Sequence, residues 1–260
     1  MKFIRYLTLI GGFFLLALAA CFVFQVPVAI NLWPWEDGRY SYLFIGSILA
    51  AASAAMLWTG WTGQTGALPA GSLNIFVISL TTMIHFLLLV VQQGRLQLIP
   101  FAIVSLLTAI ASGASFLWSH QLPFDDPRPT PGLVRISFGV FIASLFLAGG
   151  ALLVRAPIFP WALNPDSSVI FGCIFIGDAF YFLYGLFRPR WQNAYGQLLS
   201  FLAYDLVLIV PFVLLFNTVP PERRFNLFVY VVVLIYSGAL AVYFLFVNPQ
   251  TRMGAAAKEW

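Results

Sequence analysis

The chain has 260 residues, of which 61% are hydrophobic and only 8% are charged. A soluble domain carries roughly 25% charged residues, so this sequence lacks the polar side chains to cover a water-facing surface. The net charge of +4 is small and scattered, which argues against a basic stripe that holds nucleic acid. We therefore expect an integral membrane protein whose first partner is the lipid bilayer.

Eight apolar segments follow one another along the chain, each near the roughly 20 residues that a helix needs to cross a bilayer. Only helices and closed barrels satisfy their backbone hydrogen bonds in lipid, and these runs are continuous rather than alternating. The sequence therefore predicts an all-α integral membrane protein with about eight transmembrane helices. The segments cover residues 4–24, 40–61, 72–91, 98–118, 134–154, 168–187, 197–216 and 225–247.

The first four segments match the last four in order and spacing. Pro27 lies 22 residues after Arg5, and Pro157 lies 22 residues after Arg135. Each half has an even number of spans, so both insert the same way up, as parallel repeats related by an axis along the membrane normal. We predict two four-helix repeats, residues 1–129 and 130–260. Further pairs at a spacing of 126 residues are Gly46 and Gly172, Leu80 and Leu206, and Phe86 and Phe212.

A short aromatic–proline–tryptophan element occurs once in each half. It reads Trp33-Pro34-Trp35 in the first and Phe159-Pro160-Trp161 in the second. In this duplicated element the chain resembles a group of small, uncharacterised bacterial membrane proteins with several spans. The resemblance covers the whole chain, and it implies no activity and no functional residue.

Basic residues are divided unevenly between the two sides of the predicted bundle. One side carries 8 and the other carries 5 of the 13. Because loops rich in Lys and Arg stay in the cytoplasm, we expect a multi-pass protein of the bacterial inner membrane with both termini in the cytoplasm. The first side has Lys2, Arg5, Arg128, Arg135, Arg188, Arg190, Arg252 and Lys258, and the second has Arg39, Arg95, Arg155, Arg223 and Arg224.

Asp178 and Asp205 lie inside the sixth and seventh segments. A charged carboxylate in the middle of a bilayer costs about 2.5–3.5 kcal/mol on insertion scales, so it is a candidate functional residue. The two acids are on consecutive antiparallel helices near the midplane, where they could share a proton. Alternatively, each is hydrogen-bonded to a neighbour such as Tyr181 or Tyr204 and holds helices together.

The first half has no acid at the corresponding positions, and carries polar residues on its third segment instead. These include Asn74 and His85, with Thr81 and Thr82 between them. One hypothesis places His85 with Asp178 and Asp205 in a midplane cluster. The alternative is that His85 is a satisfied helix-packing group.

The two cysteines suggest neither a metal site nor a disulfide framework. Leu18-Ala19-Ala20-Cys21 resembles a lipidation box, after which the first segment would be removed. The repeat favours an ordinary first helix, because the fifth segment matches the first and would remain uncut. We also find no phosphate loop, no zinc helix and no catalytic triad pattern, so no cofactor and no metal are predicted.

Three functions are compatible with these observations. The first is a non-enzymatic accessory subunit, partnered by other membrane-protein subunits, or an apolar-ligand-binding protein. The second is a small transporter, proton-coupled through Asp178 and Asp205, which requires a cavity that reaches the acids. The third is an intramembrane enzyme that modifies lipids or isoprenoids, which requires a lateral opening lined by both carboxylates.

Overall fold

The computed structural model describes residues 2–126 and 128–253. In this part of the chain eight helices are long and apolar enough to cross a membrane, which confirms the predicted all-α membrane fold. Lys258 and Trp260 lie outside the described residues, and the orientation in the membrane stays a prediction. The helices are α1 (Lys2–Val23), the short α2 (Pro27–Ile30), α3 (Arg39–Thr62), α4 (Leu68–Gln93), α5 (Ile99–Ser119), α6 (Gly132–Leu153), α7 (Pro165–Phe187), α8 (Trp191–Leu215) and α9 (Arg224–Val242).

The predicted segments agree with these helices except at the beginning of the seventh. Helix α8 begins at Trp191, six residues before the predicted start. Its first turns carry polar side chains that hydropathy counts against a span, yet Gln192, Asn193 and Gln197 are buried in protein. Gln197 Nε2, for example, donates a hydrogen bond of 2.5 Å to the carbonyl oxygen of Tyr181 on α7. Polar residues therefore continue this helix because the protein satisfies them internally.

The spanning helices pack as four consecutive antiparallel hairpins, α1 with α3, α4 with α5, α6 with α7, and α8 with α9. The hairpins are joined where α3 packs on α8 and α4 packs on α7. These four helices form the middle of the bundle, and α1, α5, α6 and α9 lie at its periphery. The peripheral helices present large apolar side chains outward, for example Phe14, Ile103, Ile136 and Ile235.

The first hairpins of the two predicted halves are packed through equivalent glycines. A Cβ atom on Gly46 of α3 would lie 3.0 Å from the carbonyl oxygen of Ala19 on α1. A Cβ atom on Gly172 of α7 would lie 2.9 Å from the carbonyl oxygen of Gly149 on α6. Glycine is required at both places because the helix backbones are in contact there.

Helices α1 and α6 also end in the same way. Among the described residues, Gln25 (φ 53°) and Arg155 (φ 60°) are the two non-glycine residues with positive φ. In the turn that follows, Val26 N donates to Cys21 O (2.8 Å), and Ala156 N donates to Ala151 O (2.9 Å). The two turns are 130 residues apart, as the predicted repeat requires. The division into two repeats itself stays a prediction.

Candidate functional site

Asp178 joins the two predicted halves of the chain. It lies on α7, and its Oδ1 accepts a hydrogen bond of 2.9 Å from Asn74 Nδ2 on α4. The adjacent Gly177 permits this approach, because a Cβ atom there would lie 3.0 Å from the carbonyl oxygen of Asn74. The structure thus brings together two of the residues that the sequence singled out, at a close contact between helices.

Asp205 has a different partner on a different helix. The Ser237 hydroxyl of α9 lies 2.9 Å from Asp205 Oδ2 and 3.1 Å from Oδ1. Asp205 is 5% exposed. This carboxyl group therefore connects α8 to α9 within one hairpin, whereas Asp178 connects α7 to α4.

The acids are not joined to each other or to the tyrosines that the sequence suggested. No hydrogen bond or ion pair links Asp178 to Asp205 in residues 2–126 and 128–253. The hydroxyl group of Tyr204 is hydrogen-bonded to that of Tyr230, and the carbonyl oxygen of Tyr181 accepts from Gln197. The proton-sharing hypothesis therefore has no direct contact to support it.

His85 lies apart from both acids. It is 11 residues beyond Asn74, which corresponds to about 16 Å along α4. Its Nε2 atom lies 4.0 Å from Asp166 Oδ1, too far for a hydrogen bond, and is buried without a hydrogen-bond partner. The His85 ring contacts Trp35, with 6.4 Å between the ring centroids. The hypothetical midplane cluster is thus replaced by a grouping of His85 with Asp166.

Asp166 is the centre of a charged group that sequence reasoning missed. Its Oδ2 lies 2.5 Å from Arg95 Nη1, and its Oδ1 lies 3.2 Å from Arg155 Nη2. The Asp166 side chain is only 10% exposed, whereas those of Arg95 and Arg155 are 37% and 51% exposed. One nearly buried carboxylate therefore positions two partly exposed guanidinium groups.

Helix ends place these three charges together. Asp166 is in the first turn of α7, where the Asn164 side chain accepts a hydrogen bond of 2.9 Å from its backbone N–H. A carboxylate is favoured there by the helix dipole. Arg155 occupies the left-handed position after α6, and Arg95 follows Gly94, which ends α4 with a φ of 67°.

We call the surface depression at this group the charged cleft. It has a volume of about 370 Å³ and lies at the end of the bundle where α4 ends and α7 begins, which we call the distal end. The sequence predicts that the distal end faces away from the cytoplasm. The residues lining the charged cleft are Trp35, Gln93, Arg95, Arg155, Asn164, Pro165 and Asp166.

A second depression at the distal end, which we call the aromatic cleft, has a volume of about 660 Å³. Three of its positions correspond to charged-cleft positions by the spacing of the predicted repeat: Trp161 to Trp35, Tyr40 to Asp166, and Glu222 to Gln93. Neither cleft is lined by Asp178 or Asp205. The residues lining the aromatic cleft are Tyr40, Pro160, Trp161, Ala162, Leu215, Thr218, Val219, Pro220, Glu222 and Arg223.

The duplicated aromatic–proline–tryptophan element lies beside these clefts and connects the predicted halves reciprocally. Trp33 Nε1 donates a hydrogen bond of 3.0 Å to Ser167 Oγ on α7. Trp161 Nε1 donates a hydrogen bond of 3.0 Å to Ser41 Oγ on α3. Ser41 and Ser167 are 126 residues apart, so each half supplies an indole donor to the equivalent serine of the other.

Comparison of the chain with protein-family models, with curated proteins and with solved structures gave no match. In the part of the chain that the structure describes, no group of three His, Cys, Asp or Glu side chains is arranged to hold a metal ion. Function is therefore argued from the two interhelical acids and the two distal clefts.

Proposed function

We propose that this multi-span membrane protein acts by binding rather than by catalysis, as an apolar-ligand-binding protein or an accessory subunit. The observation that carries the proposal is the state of the two intramembrane acids. Asp178 is bonded to Asn74 and Asp205 to Ser237, and neither acid lines a cleft. Side chains that link helices in this way stabilise the bundle.

The transporter alternative requires a carboxylate that exchanges protons with water through a cavity. Asp205 is 5% exposed, and its bond to Ser237 turns it toward α9. Asp178 is engaged by an amide donor, and both clefts open at the distal end without reaching it. These observations favour a structural role for both acids.

The enzyme alternative requires two carboxylates that line one lateral opening. Asp178 faces α4 and Asp205 faces α9, so the two groups are directed at different helices. This arrangement gives no common site for an acid and a base, and it supports binding over catalysis.

Proton flux tests the proposal against its main alternative. Purified wild-type protein and Asp178→Asn are reconstituted into liposomes that contain a pH-sensitive dye, and a proton gradient is imposed. We expect both proteins to dissipate the gradient no faster than protein-free liposomes. A wild-type flux that Asp178→Asn abolishes, with the variant still folded and monodisperse, would contradict the proposal and support the transporter.

A further inference from the structure

We infer that the charged cleft binds a phosphate group, supplied either by the headgroup of an anionic lipid or by free phosphate. The inference rests on the proposed function in that the protein acts by binding, and it names the chemistry of the ligand. It depends on Arg95 and Arg155, which take no part in the arrangement of the intramembrane acids.

The cleft has a positive charge that no protein group balances. Arg95 and Arg155 share the single carboxylate of Asp166, which leaves one surplus positive charge. Each guanidinium has five N–H donors, and each uses one nitrogen on Asp166. Planar guanidinium groups match phosphate oxygens with two parallel hydrogen bonds. The remaining donors therefore suit an oxyanion that bridges the two arginines.

Asp166 makes the pair of arginines a preorganised site. Arg95 belongs to the first predicted half and Arg155 to the second, and like charges from separate segments repel one another unless an anion lies between them. Asp166 is held by the Asn164 cap in the first turn of α7 and fixes both guanidinium groups. Because their position is set before a ligand arrives, less side-chain entropy is lost on binding.

The surroundings of the cleft suit an amphiphile. The apolar side chains of Val91, Leu96 and Val154, adjacent in sequence to the two arginines, are 81%, 64% and 78% exposed. Trp35 lines the cleft, and tryptophan is enriched at the level of lipid headgroups. A lipid phosphate in the cleft would have its acyl chains beside these apolar side chains.

The aromatic cleft provides the internal comparison. It has Tyr40 in place of Asp166 and Glu222 in place of Gln93, and Gln25 is the counterpart of Arg155. Its one lining arginine, Arg223, is accompanied by the lining acid Glu222, so it carries no surplus positive charge. We infer that only the charged cleft is specialised for phosphate.

Native mass spectrometry and calorimetry test the inference. The protein is reconstituted into nanodiscs of phosphatidylcholine with or without phosphatidylglycerol, and retained lipids are counted after release into detergent. Inorganic phosphate is titrated separately into the detergent-solubilised protein. Arg155→Gln is compared with Arg155→Lys, which keeps the charge but loses the planar fork, and with Arg223→Gln from the aromatic cleft as the control.

We expect wild type and Arg223→Gln to retain phosphatidylglycerol equally. Arg155→Gln should bind roughly ten-fold or more weakly, the usual effect of losing a charge-assisted hydrogen bond, and Arg155→Lys should be intermediate. Retention of lipid without binding of free phosphate identifies the headgroup as the source, and binding of both probes identifies a general phosphate site. Equal binding by all variants, or no binding of either probe by the folded wild type, overturns the inference.

The outcomes separate this inference from the proposed function. If phosphate binds as expected but a bound phosphate ester is cleaved, the proposed non-enzymatic function fails and the site stands. If neither probe binds while the liposomes show no proton flux, the phosphate site fails and the proposed function stands.

Discussion

Asn74 on α4 donates a hydrogen bond of 2.9 Å to Asp178 on α7 and thereby connects the two predicted halves in the middle of the bundle. The contact is made possible by Gly177, which lets the two helix backbones approach. Since each partner is buried between helices, removal of one leaves the other without a hydrogen bond. The energetic consequences of this pair can be measured directly.

We expect Asn74→Leu to lower the free energy of unfolding by about 1–3 kcal/mol, the cost of leaving a buried polar group unsatisfied. Asp178→Asn should be nearly neutral, because the new side chain still offers an oxygen to Asn74. Asn74→Leu combined with Asp178→Leu should recover part of the loss. Thermal or denaturant unfolding in detergent gives all three values, and a destabilised Asp178→Asn would contradict the interhelical role.

The reciprocal indole–serine bonds predict a matched pair of substitutions. Ser41→Ala and Ser167→Ala each remove the acceptor of a tryptophan N–H, from Trp161 and Trp33 respectively. Each should cost about 1 kcal/mol, and the two costs should add if the bonds are independent. Ser47→Ala is the control, because Ser47 bonds only to Phe44 O in its own helix. An effect at one serine alone would contradict the proposed equivalence of the halves.

Glycine substitutions test the close packing of the first hairpin in each half. Gly46→Ala and Gly172→Ala should both destabilise the protein, because the added Cβ would lie 3.0 Å and 2.9 Å from a backbone oxygen of the neighbouring helix. Gly150→Ala on α6 is the matched control, since nothing lies within 4 Å of its added Cβ. It should be neutral or stabilising, because alanine favours a helix by about 1 kcal/mol. Equal effects at all three positions would contradict backbone contact as the cause.

Hydropathy predicted the eight spans because apolar runs of this length have only one stable form in a bilayer. The same method placed the beginning of α8 six residues late, since Gln192 and Asn193 are polar in sequence but buried in protein. Burial inside a bundle depends on the neighbouring helices, which a local window of sequence does not contain.

The candidate residues divide in the same way. Asp178 and Asp205 were recognised because a charge inside an apolar segment is conspicuous, and the structure gives each a polar partner. Asp166 was missed because it comes just before a predicted segment, where a charged residue is ordinary. Its grouping with Arg95 and Arg155 depends on three separate helix ends that meet at the distal end. The change from Tyr40 to Asp166 between the halves was the available signal.

The orientation of the bundle can be tested at its two ends with single cysteines. Leu32 follows α2 at the distal end, and Gln121 follows α5 at the opposite end; both are exposed. The division of basic residues, 8 against 5, predicts that the distal end faces away from the cytoplasm. In a Cys21→Ser, Cys173→Ser background, Leu32→Cys should therefore react with a membrane-impermeant maleimide added to intact cells. Gln121→Cys should react only after the membrane is opened, and the reverse pattern would invert the topology and place the charged cleft on the cytoplasmic side.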